Sequence, residues 1–184
     1  MSRGNVLFLL SGSIACSKAC VVISRLAQAG VTVQTVATPA ALRFIGATTL
    51  EGLSGRPVFT DLWASGRALD HIELARAADL ALVCPATANT INRLANGLAD
   101  DPIGTLFLAW EMKTKPWWLA PAMNGAMWDH PATATSLQRL RTWGVRVLDP
   151  VDGAHACGES GPGRLVDPEQ IAAEVLSTLA KSSR

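Results

Sequence analysis

The sequence predicts a three-layer α/β sandwich, in which helices cover both faces of a parallel sheet. Short apolar runs of strand length alternate with longer segments that have apolar residues at helical spacing. The strand runs are apolar throughout, which is typical of parallel strands that are buried on both faces. Because right-handed crossovers place helices on both sides of such a sheet, this alternation predicts the three layers.

The elements follow from apolar periodicity and from residues that start or stop helices. Thr38 followed by Pro39 predicts a helix start, and Gly30 predicts a helix end. Residues 46–70 have weak periodicity and predict irregular connections around short elements such as 57–62. The predicted order is a strand over 6–10, a helix over 14–29, a strand over 31–37, a short helix through Phe44, a helical turn over 72–77, a strand over 79–84, a helix over 89–98, strands over 116–119 and 145–148 separated by a helix over 133–143, and a helix over 168–179.

The composition of the chain limits the classes of function that it can have. The chain has 184 residues, a net charge of +1 and 17% charged residues, which predicts one domain over 1–184 and no basic face for nucleic acid. The apolar runs are far shorter than the roughly twenty residues that span a bilayer, so no membrane partner is expected. The four cysteines lack CxxC spacing and are expected to be reduced thiols, in a cytoplasmic protein. Cys16 and Cys20 share one helix face without a partner at ligand spacing, so they are assigned to the core and no metal site is predicted.

Ligands of parallel sheets bind beyond the carboxyl ends of the strands. The loops over 11–15, 38–40, 85–90 and 120–124 follow four predicted strands and are therefore expected to converge. The first loop has a glycine and two hydroxyls at a helix start, where free N–H groups favour a phosphate. It lacks the GxGxxG motif and the P-loop lysine, so a simple tight turn is an equal interpretation of this loop alone.

The two later loops narrow the prediction of the ligand's chemistry. Residues 85–90 offer hydroxyls, an amide and further N–H groups at a helix start. The segment 121–128 combines the amide of Asn124 with the thioethers of Met123 and Met127 and the indole of Trp128. This mixture suits a flat, partly apolar ligand, and core packing of the apolar members is the alternative interpretation.

Several motifs together resemble the phosphopantothenoylcysteine (PPC) decarboxylases over about residues 5–175. They are His-Ile-Glu-Leu at 71–74, Pro-Ala-Thr-Ala-Asn-Thr at 85–90, Pro-Ala-Met-Asn-Gly-Ala-Met-Trp at 121–128, and Ala-Cys-Gly at 156–158 followed by Gly-Pro-Gly-Arg at 161–164. The wider family, the flavin-containing cysteine decarboxylases, includes enzymes that modify the C-terminal cysteine of ribosomal peptides. The resemblance implies a Rossmann-like, flavodoxin-like flavoprotein with FMN, or less often FAD, as its cofactor.

The resemblance also assigns roles to positions. His71 would be the active-site base while the flavin oxidises the substrate thiol towards a thioaldehyde, after which CO2 is lost. Asn124 would hold the substrate carboxylate or amide, with Met127 and Ala156 beside the substrate. Cys157 would protonate the enethiolate as the reduced flavin returns its hydride, under a mobile flap formed by residues 153–164. The positions implied to contact the flavin are Gly12, Ser13, Ile14, Thr38, Thr87, Ala88, Asn89, Thr90 and Ala122.

The substrate and the catalytic competence stay open at this point. Cys157 favours the reductive reaction of coenzyme A synthesis, with PPC as substrate. Glu159 and Ala77 depart from the residues expected in bacterial coenzyme A enzymes, and a fused ligase domain is not expected for this chain. The alternative is therefore a decarboxylase of a C-terminal cysteine in a ribosomal precursor peptide. A non-catalytic flavin-binding regulator is a third possibility, against which the intact His71 argues. The resemblance further implies a homotrimer or a dodecamer, with FMN and catalytic residues meeting at subunit contacts.

Overall fold

The computed structural model describes residues 3–65, 67, 69–154 and 160–182. A parallel sheet in the order β2-β1-β3-β4-β5 forms its centre. This is the strand order of flavodoxin-like doubly wound folds, whose ligand site lies where the order reverses, between β1 and β3. The strands are β1 (Asn5–Leu10), β2 (Thr32–Ala37), β3 (Leu80–Ala86), β4 (Trp117–Pro121) and β5 (Arg146–Val147), with a separate antiparallel pair, β6 (Val151–Ala154) and β7 (Ser160–Arg164).

Helices cover both faces of the sheet, which confirms the predicted three-layer fold. α1, α2 and α8 pack on one face, and α3, α4, α5 and α7 pack on the other. In the described part of the chain, no helix is both long and apolar enough to cross a membrane. The helices are α1 (Cys16–Gln28), α2 (Ala47–Ser54), α3 (Asp70–Ala77), α4 (Ala88–Ala95), α5 (Pro102–Leu108), α6 (Gly125–Asp129), α7 (Pro131–Thr142) and α8 (Pro168–Ser182).

The strands are apolar on both faces because the sheet lies between two hydrophobic cores. Val6 and Phe8 of β1 point into the core beneath α1 and α8, whereas Leu7 and Leu9 point into the core beneath α3 and α4. Every residue of β3 is buried. Because each large apolar side chain stabilises the fold by roughly 1.5–3 kcal/mol when buried, both faces of these strands favour apolar residues.

Several segments differ from their predicted structure, and three of them lie within or beside predicted elements. The short helix expected through Phe44 is a 3-10 turn over Ala41–Arg43, with the Thr38 hydroxyl accepting a hydrogen bond from the Ala41 amide (3.1 Å). The irregular stretch over 46–70 contains α2, which buries only Leu50 and so has little apolar periodicity. The sequence prediction also missed α5, although Asp101 caps its start and a proline follows at the first helical position.

Candidate functional site

The loops after β1, β2, β3 and β4 converge on a cavity of about 670 Å³ at the carboxyl edge of the sheet. This volume lies within the range of about 300–1,000 Å³ that is usual for small-molecule sites. Eight of the nine positions predicted to contact the flavin line the cavity, and Ile14, whose side chain is 63% exposed, is the exception. The lining residues are Ser11, Gly12, Ser13, Thr38, Pro39, Ala40, Thr87, Ala88, Asn89, Thr90, Arg93, Asp101, Ala122, Met123 and Met127.

Ser11 joins the loops that follow β1 and β3. Its hydroxyl donates to the Pro85 carbonyl oxygen (2.7 Å) and accepts from the Thr87 amide (3.0 Å). The Thr87 hydroxyl in turn lies 3.1 Å from that of Thr90 and accepts from the Thr90 amide (3.3 Å). Because Ser11 is 2% exposed, these bonds form away from water and hold the two loops in one arrangement.

Gly12 allows the first loop to lie against the loop that follows β2. A Cβ atom at this position would stand 2.7 Å from the Ala40 Cβ and 3.0 Å from the Ala40 carbonyl oxygen. Ordinary contacts between such atoms are longer by roughly 1 Å. Any side chain at position 12 would therefore push the two loops apart and change the shape of the cavity.

The cavity loops supply backbone hydrogen-bond donors for which no acceptor is found among the described residues. In the described part of the chain, the backbone amides of Gly12, Ser13 and Ile14 have no acceptor. The same holds for the amides of Ala88 and Asn89 at the start of α4, where helix geometry leaves the first N–H groups without intrahelical partners. Together with the lining hydroxyls, these amides are suited to an anionic, oxygen-rich group.

Asn124 stands beside the cavity and caps the short helix α6. Its Oδ1 accepts from the Met127 amide (2.9 Å), so the side-chain NH2 remains as a donor. The Met127 side chain lines the cavity and is 47% exposed, so it belongs to the rim rather than the core. The capping role of Asn124 was not predicted, although an asparagine before a helical segment is a common signal for it.

The segment predicted as a flap forms the hairpin β6–β7 on each side of residues that are not described. The hairpin touches the loop after β4, where the Met123 amide donates to the Gly163 carbonyl oxygen (2.9 Å). Gly163 has a φ of +114°, and a Cβ there would lie 2.4 Å from the Met123 carbonyl oxygen. Glycine is therefore needed for this contact. Ala156 and Cys157, predicted for substrate binding and proton donation, lie outside the described residues.

His71 is half-buried in the first turn of α3 and does not line the cavity of its own chain. Because α3 leads directly into the start of β3, its first turn lies towards the carboxyl edge of the sheet. Both ends of α3 are held. Arg67 pairs with Asp70 (2.5 Å) at the start, and the Lys115 ammonium donates to the carbonyl oxygens of Ala75 (3.2 Å) and Arg76 (2.6 Å) at the end.

The sequence-based prediction of the site missed two charged residues that line the cavity. Arg93 and Asp101 both line it, and the Arg93 Nε lies 3.6 Å from an Asp101 carboxylate oxygen. The available signal was helical spacing, because Arg93 follows Asn89 and Thr90 by four and three residues and so shares their face of α4.

The described cysteines lie in or against the core beneath α1. Cys16 and Cys84 are buried and Cys20 is half-buried. Burial raises the pKa of all three thiols, so they stay protonated and poorly nucleophilic near neutral pH. Among the described residues, no group of three or more His, Cys, Asp or Glu side chains is placed to hold a metal ion.

The fold and the cavity define an α/β protein of the doubly wound class, with a preformed small-molecule site at the carboxyl edge of its sheet. The family to which the chain belongs is narrower than this fold class. The chain belongs to the Flavoprotein family, whose family model matches residues 1–180.

Known relatives and solved structures agree with this assignment. The chain is 44% identical over 173 residues to the coenzyme A biosynthesis bifunctional protein CoaBC of Bacillus subtilis (strain 168), which covers 93% of this chain and 42% of that protein. The chain thus spans about two-fifths of the length of this relative. A PPC decarboxylase mutant complexed with pantothenoylaminoethenethiol has a TM-score of 0.85 and 32% identity, covering 95% of this chain and 97% of that one. The FMN-dependent cysteine decarboxylase SpaF has a TM-score of 0.81 and 30% identity, covering 97% and 98%. The resemblance inferred from the motifs is confirmed.

Proposed function

We propose that this chain is an FMN-dependent carboxy-lyase that decarboxylates a cysteine with a free carboxylate, and that PPC is its substrate. The observation that carries the proposal is the convergence of the predicted flavin loops on one cavity, with Asn124 and Met127 at its rim. The relatives named CoaBC, PPC decarboxylase and cysteine decarboxylase support the same reaction class.

The residues of the cavity fit FMN. The unpaired amides of the first loop and of the α4 start, with the hydroxyls of Ser13 and Thr90, match the phosphate and ribityl oxygens. Ala122 and Met123 offer the apolar surface that a flat ring system requires. When bound, FMN supplies a two-electron acceptor that takes a hydride from the substrate and can return it.

The residues of this chain would position the substrate and move its protons. His71 would accept the thiol proton as the adjacent C–H bond is oxidised, which leaves a thioaldehyde next to the carbon that bears the carboxylate. The Asn124 NH2, free of the capping bond, would donate to the substrate carboxylate or amide and orient the breaking C–C bond. When CO2 leaves, the electron pair of the broken C–C bond remains on the substrate as an enethiolate.

The final step depends on Cys157. We propose that this thiol donates the proton that accompanies return of the hydride, giving a saturated aminoethanethiol. The Cys157→Ser variant should therefore accumulate the enethiol, which is two hydrogens lighter than the saturated product. Mass spectrometry of the product tests this. A fully saturated product from Cys157→Ser would remove the proton-donor role.

A subunit contact would bring His71 to the reaction. Because His71 does not line the cavity of its own chain, we propose a homotrimer, or a dodecamer of trimers, in which α3 of one subunit faces the cavity of the next. Sedimentation velocity with parallel activity measurement tests this, and an active monomer would contradict it. A single domain over 1–184 and a cytoplasmic location stay predictions.

The substrate decides between the two decarboxylase alternatives. The purified protein is incubated separately with PPC and with short peptides that end in cysteine, and each product is examined for loss of CO2 by mass spectrometry. Loss from PPC alone is the expected result. Loss from the peptides alone would assign the chain to peptide modification, and loss from neither would favour the non-catalytic flavin-binding regulator.

A further inference from the structure

Arg93 is the positively charged residue among the described residues that line the cavity. Among the described residues that line the cavity, Arg93 and Asp101 alone have ionisable side chains. The remaining lining groups are hydroxyls, one amide, apolar side chains and backbone. A ligand with a charged end therefore meets one guanidinium and one carboxylate in an otherwise neutral site.

The Arg93 guanidinium contacts two carboxylates of its own chain. Arg93 pairs with the exposed Asp100 and lies 3.6 Å from Asp101, and its side chain is 25% exposed. A guanidinium has five N–H donors in a fixed plane, so contacts through Nε and one terminal nitrogen leave the other terminal nitrogen as a donor. The two carboxylates thus contact Arg93 while leaving donors for a third group.

Asp101 is itself committed to the protein. One of its oxygens accepts from the Gly104 amide at the start of α5 (2.8 Å), and the other faces Arg93. The Asp101 carboxylate still lines the cavity, so its negative charge would repel an anionic ligand. The two lining charges are therefore expected to act on an anionic ligand with opposite signs.

We propose that Arg93 recognises a phosphate monoester bound in this cavity, oriented by Asp100 and Asp101 as positioning residues. The inference rests on the proposed function, which supplies two candidate sources, the phosphate of FMN and the phosphate of PPC. Arg93 shares the face of α4 that carries Asn89 and Thr90, where the unpaired Asn89 amide and the Thr90 hydroxyl already favour a phosphate. Arginine adds a fork-shaped donor pair that matches two phosphate oxygens.

The experiment compares ligands that differ only in the phosphate. Flavin-free protein is titrated with FMN and with riboflavin by flavin fluorescence, for wild type, Arg93→Gln and Asp101→Asn. We expect Arg93→Gln to reduce the preference for FMN over riboflavin by about tenfold or more, because a charge-assisted hydrogen bond is lost. Asp101→Asn keeps an N-cap for α5 and should increase that preference, because one opposing charge is removed.

A second arm identifies the source of the phosphate. The holoenzyme is assayed with PPC and with its dephosphorylated form, pantothenoylcysteine, and the ratio of kcat/KM values is compared between wild type and Arg93→Gln. A reduced ratio with an unchanged preference for FMN would assign Arg93 to the substrate phosphate. Arg139→Gln is the matched control, because Arg139 also contacts the end of α4, through Ala95 and Asn96, without lining the cavity.

If Arg93→Gln changes neither the preference for FMN over riboflavin nor the preference for PPC over pantothenoylcysteine, Arg93 only joins α4 to α5 and the inference is wrong. That outcome leaves the proposed function intact. Wild-type protein that binds no flavin would overturn the proposed function itself, and this inference with it.

Discussion

The floor and the rim of the cavity are built in different ways. The floor consists of the loops after β1 and β3, which buried Ser11 joins through hydrogen bonds within one chain. The rim includes Met127; Asn124 and the β6–β7 hairpin lie beside the lining residues Met127 and Met123, and His71 does not line the cavity. Eight of the nine positions assigned to holding the cofactor thus line the cavity, whereas Asn124 and His71, the described groups assigned to the reaction, are not among its lining residues. Binding and chemistry should therefore be separable by mutation.

The His71→Asn variant tests this separation most strongly. Loss of a general base typically costs about 10²–10⁴-fold in rate, so decarboxylation should fall by that factor. The flavin content should not change, because His71 does not line the cavity. Product formation by mass spectrometry and the ratio of flavin to protein absorbance measure the two quantities. A colourless variant would place His71 in cofactor binding instead.

The Gly12→Val variant tests the packing of the cavity floor. Its side chain would collide with Ala40 and separate two loops, so the affinity for FMN should fall by about tenfold or more. Flavin fluorescence titration measures this loss. The matched control is Gly52→Ala in α2, where a Cβ meets nothing within 4 Å. This control should bind FMN normally and unfold with a free energy higher by about 0.5–1 kcal/mol. Normal affinity in Gly12→Val would refute the close-approach argument.

The Asn124→Asp variant alters the rim without removing the cap of α6. Aspartate caps helices as well as asparagine does, so the melting temperature should change little. A carboxylate in place of the amide would repel the substrate carboxylate, and kcat/KM should fall by about tenfold or more. Unimpaired turnover would show that Asn124 acts only as a helix cap.

The Ser11→Ala variant should have the smallest effect on the reaction and a measurable effect on stability. It leaves the Thr87 amide without its partner and leaves the Pro85 carbonyl with only the Ser11 backbone amide (3.3 Å), which costs about 1–3 kcal/mol in the free energy of unfolding. Denaturant unfolding of the flavin-free protein measures this cost. An unchanged midpoint would mean that water replaces the hydroxyl and that the two loops are held by other contacts.

The sequence predicted the floor better than the rim, for a physical reason. Strands buried on both faces are uniformly apolar, so β1 and β3 and the loops after them could be located from local pattern alone. α2 was missed because one buried residue leaves no periodic signal, and the role of Arg93 depends on Asp100 and Asp101, which lie beyond the end of its own helix. The flavin and catalytic assignments came from motif resemblance rather than from periodicity.

The contact between Gly163 and Met123 has a consequence for engineering. It ties the hairpin to the loop after β4 through backbone atoms, and neither residue contributes a side chain to the Met123 N–H to Gly163 C=O bond. A hairpin from a relative with different substrate selectivity could therefore be grafted between β5 and α8, provided that it keeps glycine at position 163. Because the floor loops belong to other parts of the chain, such chimaeras should keep the floor of the cavity unchanged.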